Sequence, residues 1–267
     1  CLTMAGSSLV MQDEDPILDL PQPVDLLLVE LDYIRDARQH MDLLDAAEIG
    51  DSRTVESLLK ARCNPNHANE TGLTPLYFAA DYGYLDVARL LCKAGVDKDQ
   101  TSDDDFTPLF LAAGRGHADV VRVLCAAGAD LNKAWHDDIT PLFFAAERGH
   151  VEVVRILCEA GADQNKARKH GDTPFFFAAE RGHAEVVRVL CSAGADKDPS
   201  HHGVTTPLCL AAQRGHRQVV RVLCEAGADQ KNSRRNAITP LFIAAGLGHV
   251  EVVRVLCEAE ADQNKAQ

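Results

Sequence analysis

The sequence is poor in aromatic residues, in positive charge and in long apolar runs. Aromatic residues make up 5% of its 267 residues, with a single tryptophan, and this composition favours small, closely packed helices. Its 27 basic residues are outnumbered by 40 acidic ones, and the net charge of −13 disfavours nucleic acid and anionic membranes as partners. No apolar run approaches the ~20 residues of a membrane span.

Signatures of catalysis and of cofactor binding are also missing. There is no Cys-x-x-Cys pair, no His-Glu-x-x-His run, no phosphate-binding loop and no Gly-x-Gly-x-x-Gly. Residues 1–15 have neither the basic start nor the apolar core of a secretory signal peptide, although the chain begins with Cys1 and not with methionine. The sequence offers no positive argument for an enzyme, and we expect no cofactor and no metal.

Cysteine is abundant, but its spacing argues against a disulfide framework. Six of the nine cysteines lie thirty-three residues apart. In a stack of helix pairs, equivalent positions are roughly 8–10 Å apart, whereas a disulfide needs Cα atoms within about 7 Å. We therefore predict small buried hydrophobes in a reducing compartment, the cytoplasm or nucleus. The series is Cys92, Cys125, Cys158, Cys191, Cys224 and Cys257.

The dominant feature of the sequence is repetition. Residues 140–163 read TPLFFAAERGHVEVVRILCEAGAD and return thirty-three residues later with twenty of twenty-four positions identical. Further copies begin at Thr74, Thr107, Thr206 and Thr239. A fixed period of this length indicates an array of identical supersecondary units, which grows by adding units and not by enlarging one core.

The residues of one unit predict two short helices. Thr140 is a good N-cap, and Pro141 suits the first helical position, where its missing N–H costs nothing. We predict a first helix over residues 142–147 and a second over residues 151–159, which Gly161 ends in the left-handed conformation. The apolar stripe of the second helix is predicted to be Val151, Val154, Ile156 and Leu157.

The pattern Thr-Pro-Leu-x-x-Ala-Ala, Gly-His, Val-Val-x-x-Leu and Ala-Gly-Ala-Asp resembles the ankyrin repeat. The resemblance implies an all-α fold, an ankyrin-like solenoid of stacked helix-turn-helix units with projecting β-hairpin loops and a concave face that binds proteins. It also implies that the Gly-His pair caps and spaces the two helices. It covers residues 37–267, where the first unit is degenerate, as expected of a cap. The predicted repeats are 37–69, 70–102, 103–135, 136–168, 169–201, 202–234 and 235–267.

The chain departs from this family pattern in three places. The turn glycine kept at Gly72 and Gly171 is replaced elsewhere, for example by Asp105 and Asp138, which predicts less regular turns. Glu260 replaces the glycine that follows the second helix, which predicts a frayed last unit. The histidine that usually follows Thr-Pro-Leu is replaced by Tyr77, Phe110, Phe143, Phe176, Cys209 and Phe242.

The two ends of the chain differ from the middle. Residues 1–36 hold eight acids against one base, so this segment is predicted to be partly disordered. An apolar stretch from Val24 is interpreted either as a helix that covers the first repeat or as a docking helix for a partner; we favour the cover. The last unit reads like an interior one, so either more repeats followed or a partner covers this end. We expect the former.

Each of five units holds a His and a Cys, such as His150 and Cys158, which suggests a nucleophile pair. An active site is needed only once, however, so the recurrence favours a structural role. Zinc is disfavoured too, because its ligands must converge on one point.

Binding is predicted where the repeats differ, at the turn tips. The tips run from acidic through aromatic to basic, a gradient that would orient a partner, although turns that are simply polar would look similar. Trp135 is either an interface residue or packs against the next hairpin. The predicted tip residues are Asp103, Asp104, Trp135, His136, Asp137, Arg168, Lys169, His170, His202, Arg234 and Arg235.

A second candidate surface is a row of arginines at the end of each first helix. Such a row suits an acidic or extended peptide, unless each arginine pairs with a glutamate to give a solvated charge row. A separate arginine row on the second helices is predicted to be solvated. The first-helix row is Arg115, Arg148, Arg181 and Arg214.

Taken together, these features predict a non-catalytic protein–protein interaction module that acts as a scaffold. We expect protein partners, no nucleic acid, no membrane and a monomeric array. The alternative is the recognition part of a larger signalling enzyme, such as a kinase or ubiquitin ligase, of which this chain is a fragment. A third interpretation, a purely structural spacer, predicts that no tip mutation alters binding.

Overall fold

A computed structural model of the chain describes residues 38–198, 205–230 and 238–265, of which 260–265 by backbone alone. The chain divides into two units, Cys1–Gln39 and His40–Gln267. Almost all of the first unit, and with it the predicted N-terminal segment, lies outside the described residues. In the second unit the described residues form helices and turns and no β-strand. The predicted all-α fold is confirmed.

The helices come in pairs, and one pair corresponds to one sequence repeat. The pairs are α1 (residues 38–48) with α2 (Ser52–Lys60), α3 (Pro75–Tyr82) with α4 (Leu85–Lys93), α5 (Pro108–Arg115) with α6 (Ala118–Ala126), α7 (Pro141–Arg148) with α8 (Val151–Glu159), α9 (Pro174–Arg181) with α10 (Ala184–Ser192), α11 (Pro207–Arg214) with α12 (Arg217–Glu225), and α13 (Pro240–Gly246) with α14 (Val250–Lys265). We call the odd-numbered helices first helices and the even-numbered ones second helices. From α2 onward each helix packs on the equivalent helix of the next repeat, which gives the predicted stack.

Local sequence explains where each helix begins and ends. The Thr140 hydroxyl accepts a hydrogen bond of 3.1 Å from the N–H of Phe143, and Pro141 occupies the first turn. Gly149 ends α7 in the left-handed conformation with φ of 80°, and Gly161 does so after α8 with φ of 93°. The predicted caps are confirmed, and both predicted helices are correct to within one residue at each end.

The buried face of the second helices is wider than the predicted stripe. In α8 the side chain of Val153 is buried and that of Val151 is only partly so. The reason is that α8 packs against three helices: its partner α7 and the second helices of the two neighbouring repeats, α6 and α10. One apolar stripe accounts for a single such contact, so the predicted stripe was partly wrong.

The Gly-His pair caps and separates the two helices of a repeat, as expected, with Gly149 at the end of α7 and His150 at the start of α8, and its histidine ring also connects neighbouring repeats. The ring Nε2 of His150 lies 3.0 Å from the carbonyl oxygen of Gly114, and a carbonyl only accepts, so Nε2 carries the proton. The histidine makes no side-chain cap on its own helix α8. The equivalent pairs are His117 with Asp81, His183 with Glu147, His216 with Glu180 and His249 with Gln213.

A second cross-repeat connection runs through the loops after the second helices. The Asn132 side-chain oxygen accepts a 3.0 Å hydrogen bond from the N–H of Asp163, whose carboxylate accepts one from the N–H of Asn165. The same relay continues from Asn165 to Asp196 and from Asp198 to Asp229. Each polar side chain thus fixes the backbone of the next loop, which explains why Asn or Asp is needed there.

Replacing Asp198 by asparagine is expected to stabilise the protein at neutral pH by about 0.5 kcal/mol, a small effect because solvent screens the site. Burial raises the pKa of Asp198 above 3.8, so the folded state disfavours its ionised carboxylate. The preceding repeat has the neutral Asn165 at this position. The raised pKa favours folding below about pH 3.8 and that contribution is lost as the pH rises through the raised value. Urea unfolding should show a higher free energy of unfolding for the variant at pH 7 and no difference below pH 3.8. The same increase at both pH values would contradict this explanation.

The turns in which aspartate takes the place of glycine keep the backbone hydrogen bond that closes the turn. Each described turn is closed by a backbone bond, for example 3.1 Å from the Ser102 N–H to the carbonyl of Phe106. Asp105 adopts φ of 63° where Gly72 has 74°, so the aspartate accepts a left-handed conformation that favours glycine. The next turn is less regular, as predicted, because Asp137 and Asp138 both have positive φ inside the 3₁₀ turn His136–Asp138.

The last helix contradicts the predicted fraying. The second helix predicted over residues 151–159 corresponds to residues 250–258 in the last repeat, but the backbone of α14 continues to Lys265. Glu260 stands where the other repeats have a helix-stopping glycine, so the helix simply goes on. The first helix of the same repeat leaves Phe242 and Leu247 exposed, in agreement with the apolar end seen in the sequence.

Candidate protein-binding surface

The recurring Cys and His side chains do not form a nucleophile site. Burial raises the pKa of the thiols of Cys125, Cys158 and Cys224 to about 11, so these thiols stay protonated at neutral pH. The rings of His150 and its equivalents are engaged with carbonyls of the preceding repeat. Among the described residues no group of three or more His, Cys, Asp or Glu side chains is arranged to hold a metal ion.

Alkylation of Cys125, Cys158 and Cys224 by iodoacetamide is expected to be about a hundredfold slower near pH 8 than that of a thiol with an ordinary pKa. The thiolate is the reactive species, and a pKa of about 11 leaves correspondingly little of it. The exposed Cys257 at the equivalent position should be labelled first. Mass spectrometry of the labelled peptides provides the measurement. Equal alkylation rates at these three half-buried cysteines and at the exposed Cys257 would contradict the prediction.

The first-helix arginines pair with acids of the preceding repeat, and each arginine lies further out than its acid. Arg115 lies 2.9 Å from Asp81, with 62% of the arginine side chain exposed and 14% of the aspartate. The same geometry joins Arg181 to Glu147 at 3.0 Å and Arg214 to Glu180 at 2.8 Å. The last two pairs use one N–H group of the guanidinium, which leaves further donors facing outward.

Arg148 breaks this pattern because the preceding repeat has Gly114 where the others have an acid. The Arg148 guanidinium stacks on the Phe144 ring instead, 4.7 Å from its centroid. A Cβ on Gly114 would come within 2.1 Å of that ring. The glycine, the phenylalanine and the stacked arginine are therefore one coupled arrangement, and only a residue without a side chain fits opposite Phe144.

Gly114→Ala is expected to destabilise the protein by about 1–2 kcal/mol. Alanine normally improves a helix by up to about 1 kcal/mol, but here its methyl group would collide with Phe144, and such overpacking costs about 1–3 kcal/mol. In a Phe144→Leu background, with the leucine found at Leu111 and Leu210, the same change should become neutral or stabilising. Urea unfolding of the four proteins measures this reversal, and a cost independent of residue 144 would refute the clash.

The arginines of the second helices behave as predicted for a solvated face. Arg155 lies 3.4 Å from Glu152 and Arg188 lies 3.6 Å from Glu185, with about half or more of every side chain exposed. Arg122 instead reaches Glu152 of the next repeat at 3.1 Å. Both partners of these pairs are open to solvent, unlike the first-helix pairs, whose acids are partly buried.

The turn tips divide into exposed and packed residues. Asp103, Asp104, His136 and Asp137 are exposed. Trp135 is half-buried: its indole N–H donates a 2.8 Å hydrogen bond to the carbonyl of Asp104, and the ring stacks on Phe106 with centroids 4.9 Å apart. Trp135 thus packs against a neighbouring turn, but this is the preceding turn and not the next one that the packing alternative named.

Arg168 differs from the exposed tip cation that the sequence suggested. Its guanidinium contacts the carboxylate of Asp172 at 2.6 Å, and the side chain of Asp172 is only 1% exposed. It also lies over the Phe177 ring, 4.6 Å from the centroid. Lys169 and His170 beside it are exposed. The predicted tip residues His202, Arg234 and Arg235 lie outside the described residues.

Sequence reasoning missed the aromatic residues beneath the turns. Phe143, Phe176 and Phe177 form a cluster of their own, with Phe143 and Phe177 centroids 5.1 Å apart. Beside it, a cleft of about 480 Å³ is lined by Phe177, Glu180, Arg181 and neighbouring side chains. The signal in the sequence that could have found them is the apolar residue after Thr-Pro-Leu. In the structure this residue packs against the next repeat, as Phe143 does against Phe177.

Comparison with known proteins identifies the repeat type. A model of ankyrin repeats matches three times, over residues 43–135, 134–201 and 198–267. An ankyrin repeat protein of fowlpox virus (strain NVSL) is 34% identical over 67 residues, 25% of this chain, and the match spans about half, 48%, of that relative's length. The crystal structure of the human ASB11 ankyrin repeat domain superposes with a TM-score of 0.68 at 25% identity, over 81% of this chain and 96% of that one. None of the described helices is both long and apolar enough to cross a membrane.

Proposed function

Because this chain belongs to the ankyrin repeat family, whose repeats are generally protein–protein interaction modules, we propose that it is a non-catalytic scaffold that binds a partner protein through its first-helix ends and turns. The observation that carries the proposal is the arrangement of the arginine row. Each paired arginine is more exposed than its partly buried acid, so guanidinium groups dominate the surface of this row although the chain is acidic overall.

The proposed partner surface comprises two neighbouring sets of side chains. The row on the first helices offers guanidinium donors to carboxylates or carbonyls of an extended segment, and the turns add specific contacts. Arg168 is assigned to the framework of its turn, because its guanidinium is engaged with Asp172. The proposed contact residues are Arg115, Arg148, Arg181, Arg214, Asp103, Asp104, Trp135, His136, Asp137, Lys169 and His170.

The setting proposed for this module is a reducing compartment, the cytoplasm or nucleus. The cysteines recur one per repeat, and those of α4, α6, α8, α10 and α12 are half-buried free thiols. They pack as small apolar groups and would need protection from oxidation.

Affinity capture with matched baits tests the proposed surface. The baits are the wild-type chain, an Arg181→Gln/Arg214→Gln variant of the first-helix row, and an Arg155→Gln/Arg188→Gln variant of the second helices as a control for charge. We expect partners to be retained by the wild type and the control and lost from the first-helix variant. Identical captures by all three folded baits would refute a role for the row.

A further inference from the structure

Four aromatic side chains of two neighbouring repeats pack in one continuous row of ring contacts, which we call the aromatic strip: Trp135, Phe106, Phe110 and Phe144. The Phe110 ring lies at its centre, 5.6 Å from Phe106, 5.7 Å from Trp135 and 4.9 Å from Phe144 between centroids. Phe110 is buried, whereas Trp135, Phe106 and Phe144 are only partly buried. The strip runs from a turn tip to the first helix α7 and is partly open to solvent on either side of the buried Phe110.

One end of the aromatic strip carries a cation that lacks an acidic partner. Arg148 is exposed, and in the part of the chain that the structure describes its one recorded contact is with the Phe144 ring. The neighbouring Glu147 is occupied by Arg181, and Gly114 stands where an acid would pair with Arg148. A guanidinium stacked by its face keeps the N–H groups at its edge free, and these groups match a carboxylate.

The other end of the aromatic strip is acidic. Five exposed aspartates lie at this end, and the basic side chain recorded beside them is His136, 3.9 Å from Asp105. Trp135 connects the aromatic strip to these aspartates, because its indole N–H donates a hydrogen bond to the backbone carbonyl of Asp104. The charges of the two ends are therefore opposite. The aspartates are Asp103, Asp104, Asp105, Asp137 and Asp138.

We propose that the aromatic strip docks an extended segment of the partner protein that carries an apolar side chain between an acidic residue and a basic residue. The apolar side chain lies on the rings, the acid binds Arg148, and the base lies among the aspartates of the turns. This inference rests on the proposed interaction function and names the chemistry of its ligand. The opposite charges at the two ends specify one orientation of the segment.

No other described pair of repeats combines the same three elements. Around Arg181 the arginine is already paired with Glu147, and the rings of Phe143 and Phe177 are buried. Around Arg214 the arginine is paired with Glu180, and the ring positions are taken by the buried Phe176 and by Leu210. The strip also contains a tryptophan and ends at an arginine, two residue types that are enriched among binding hot spots. The strip therefore defines a single docking position on the described array.

The fluorescence of Trp135 tests this proposal directly, because it is the chain's one tryptophan. The probes are four short synthetic peptides without tryptophan. The first has two lysines, then Phe-Leu, then two glutamates; two others carry the same charge at both ends; the fourth has serines in place of Phe-Leu. The first should change the Trp135 emission in a saturable way and bind at least about tenfold more tightly than the others. Equal binding by all four, or no saturable change, would overturn the proposal.

Two single variants assign the binding to the strip. Arg148→Gln should weaken the binding of the first peptide at least about fivefold, which corresponds to about 1 kcal/mol, because it removes the cation. Arg155→Gln, an equal change on the second helix of the same repeat, should leave the affinity unchanged. Equal affinities of both variants would overturn the role of Arg148.

If captured partners are lost from the Arg181→Gln/Arg214→Gln bait but kept by an Arg148→Gln bait, the proposed role of the aromatic strip is refuted while the interaction function stands. If neither bait loses partners, both fail.

Discussion

Phe143→Ala is expected to destabilise the protein by about 3–5 kcal/mol, whereas Phe242→Ala at the equivalent position of the last repeat should cost less than about 0.5 kcal/mol. Phe143 is 1% exposed and packs against Phe177, while Phe242 is 69% exposed. The two residues follow the same Thr-Pro-Leu motif, so helix propensity and capping are matched between them. Their difference therefore measures the packing around Phe143, to which Phe177 of the next repeat contributes.

Urea unfolding followed by circular dichroism gives both free energies of unfolding. A Phe143→His variant adds a further comparison, because it restores the residue that the family usually has at this position. We expect it to destabilise as much as alanine does, since an imidazole would enter an aromatic environment without an evident polar partner. A neutral effect of histidine, or equal losses at residues 143 and 242, would contradict the packing described for this cluster.

Arg168→Glu is expected to cost about 2–4 kcal/mol, whereas Lys169→Glu should change stability by less than about 0.5 kcal/mol. Reversal at residue 168 leaves the buried carboxylate of Asp172 facing a second negative charge, and it removes the cation above the Phe177 ring. Because 29% of the arginine side chain is exposed, solvent offsets part of the loss. Lys169 is exposed and provides a control with the same charge change one residue away.

Thermal unfolding of the two variants, with binding measured at a temperature where both are folded, separates stability from recognition. Lys169→Glu should keep the wild-type melting temperature, so any change in its partner binding reports on the surface. Arg168→Glu should lower the melting temperature by several degrees. Equal melting temperatures would show that the contact between Arg168 and Asp172 contributes little to folding.

The fold follows from the sequence because each repeat carries its own local instructions. Thr140, Pro141, Gly149 and Gly161 set the helix ends through hydrogen bonds and backbone conformation within a few residues, and such short-range effects can be read from sequence. The extension of α14 through Glu260 shows the limit. Loss of a stop signal allows either fraying or continuation, and the sequence does not decide between them.

The candidate surface was harder to predict because its properties depend on pairs of residues in different repeats. The first-helix arginines look identical in the sequence, yet Arg148 stacks on a ring and Arg181 meets a carboxylate. The difference lies in Gly114 and Glu147, which belong to the preceding repeats. Likewise Arg168 and Lys169 are adjacent cations, and only the placement of Asp172 and Phe177 separates a framework residue from an exposed one.

The most direct measurement of the central claim is amide hydrogen exchange of the intact chain with and without a captured partner. The account predicts slower exchange at the turns and at the C-terminal ends of α5, α7, α9 and α11, where the arginine row and the aromatic strip lie. Exchange in the second helices α6, α8, α10 and α12 should be little changed. Protection confined to the second helices would contradict the proposed binding surface.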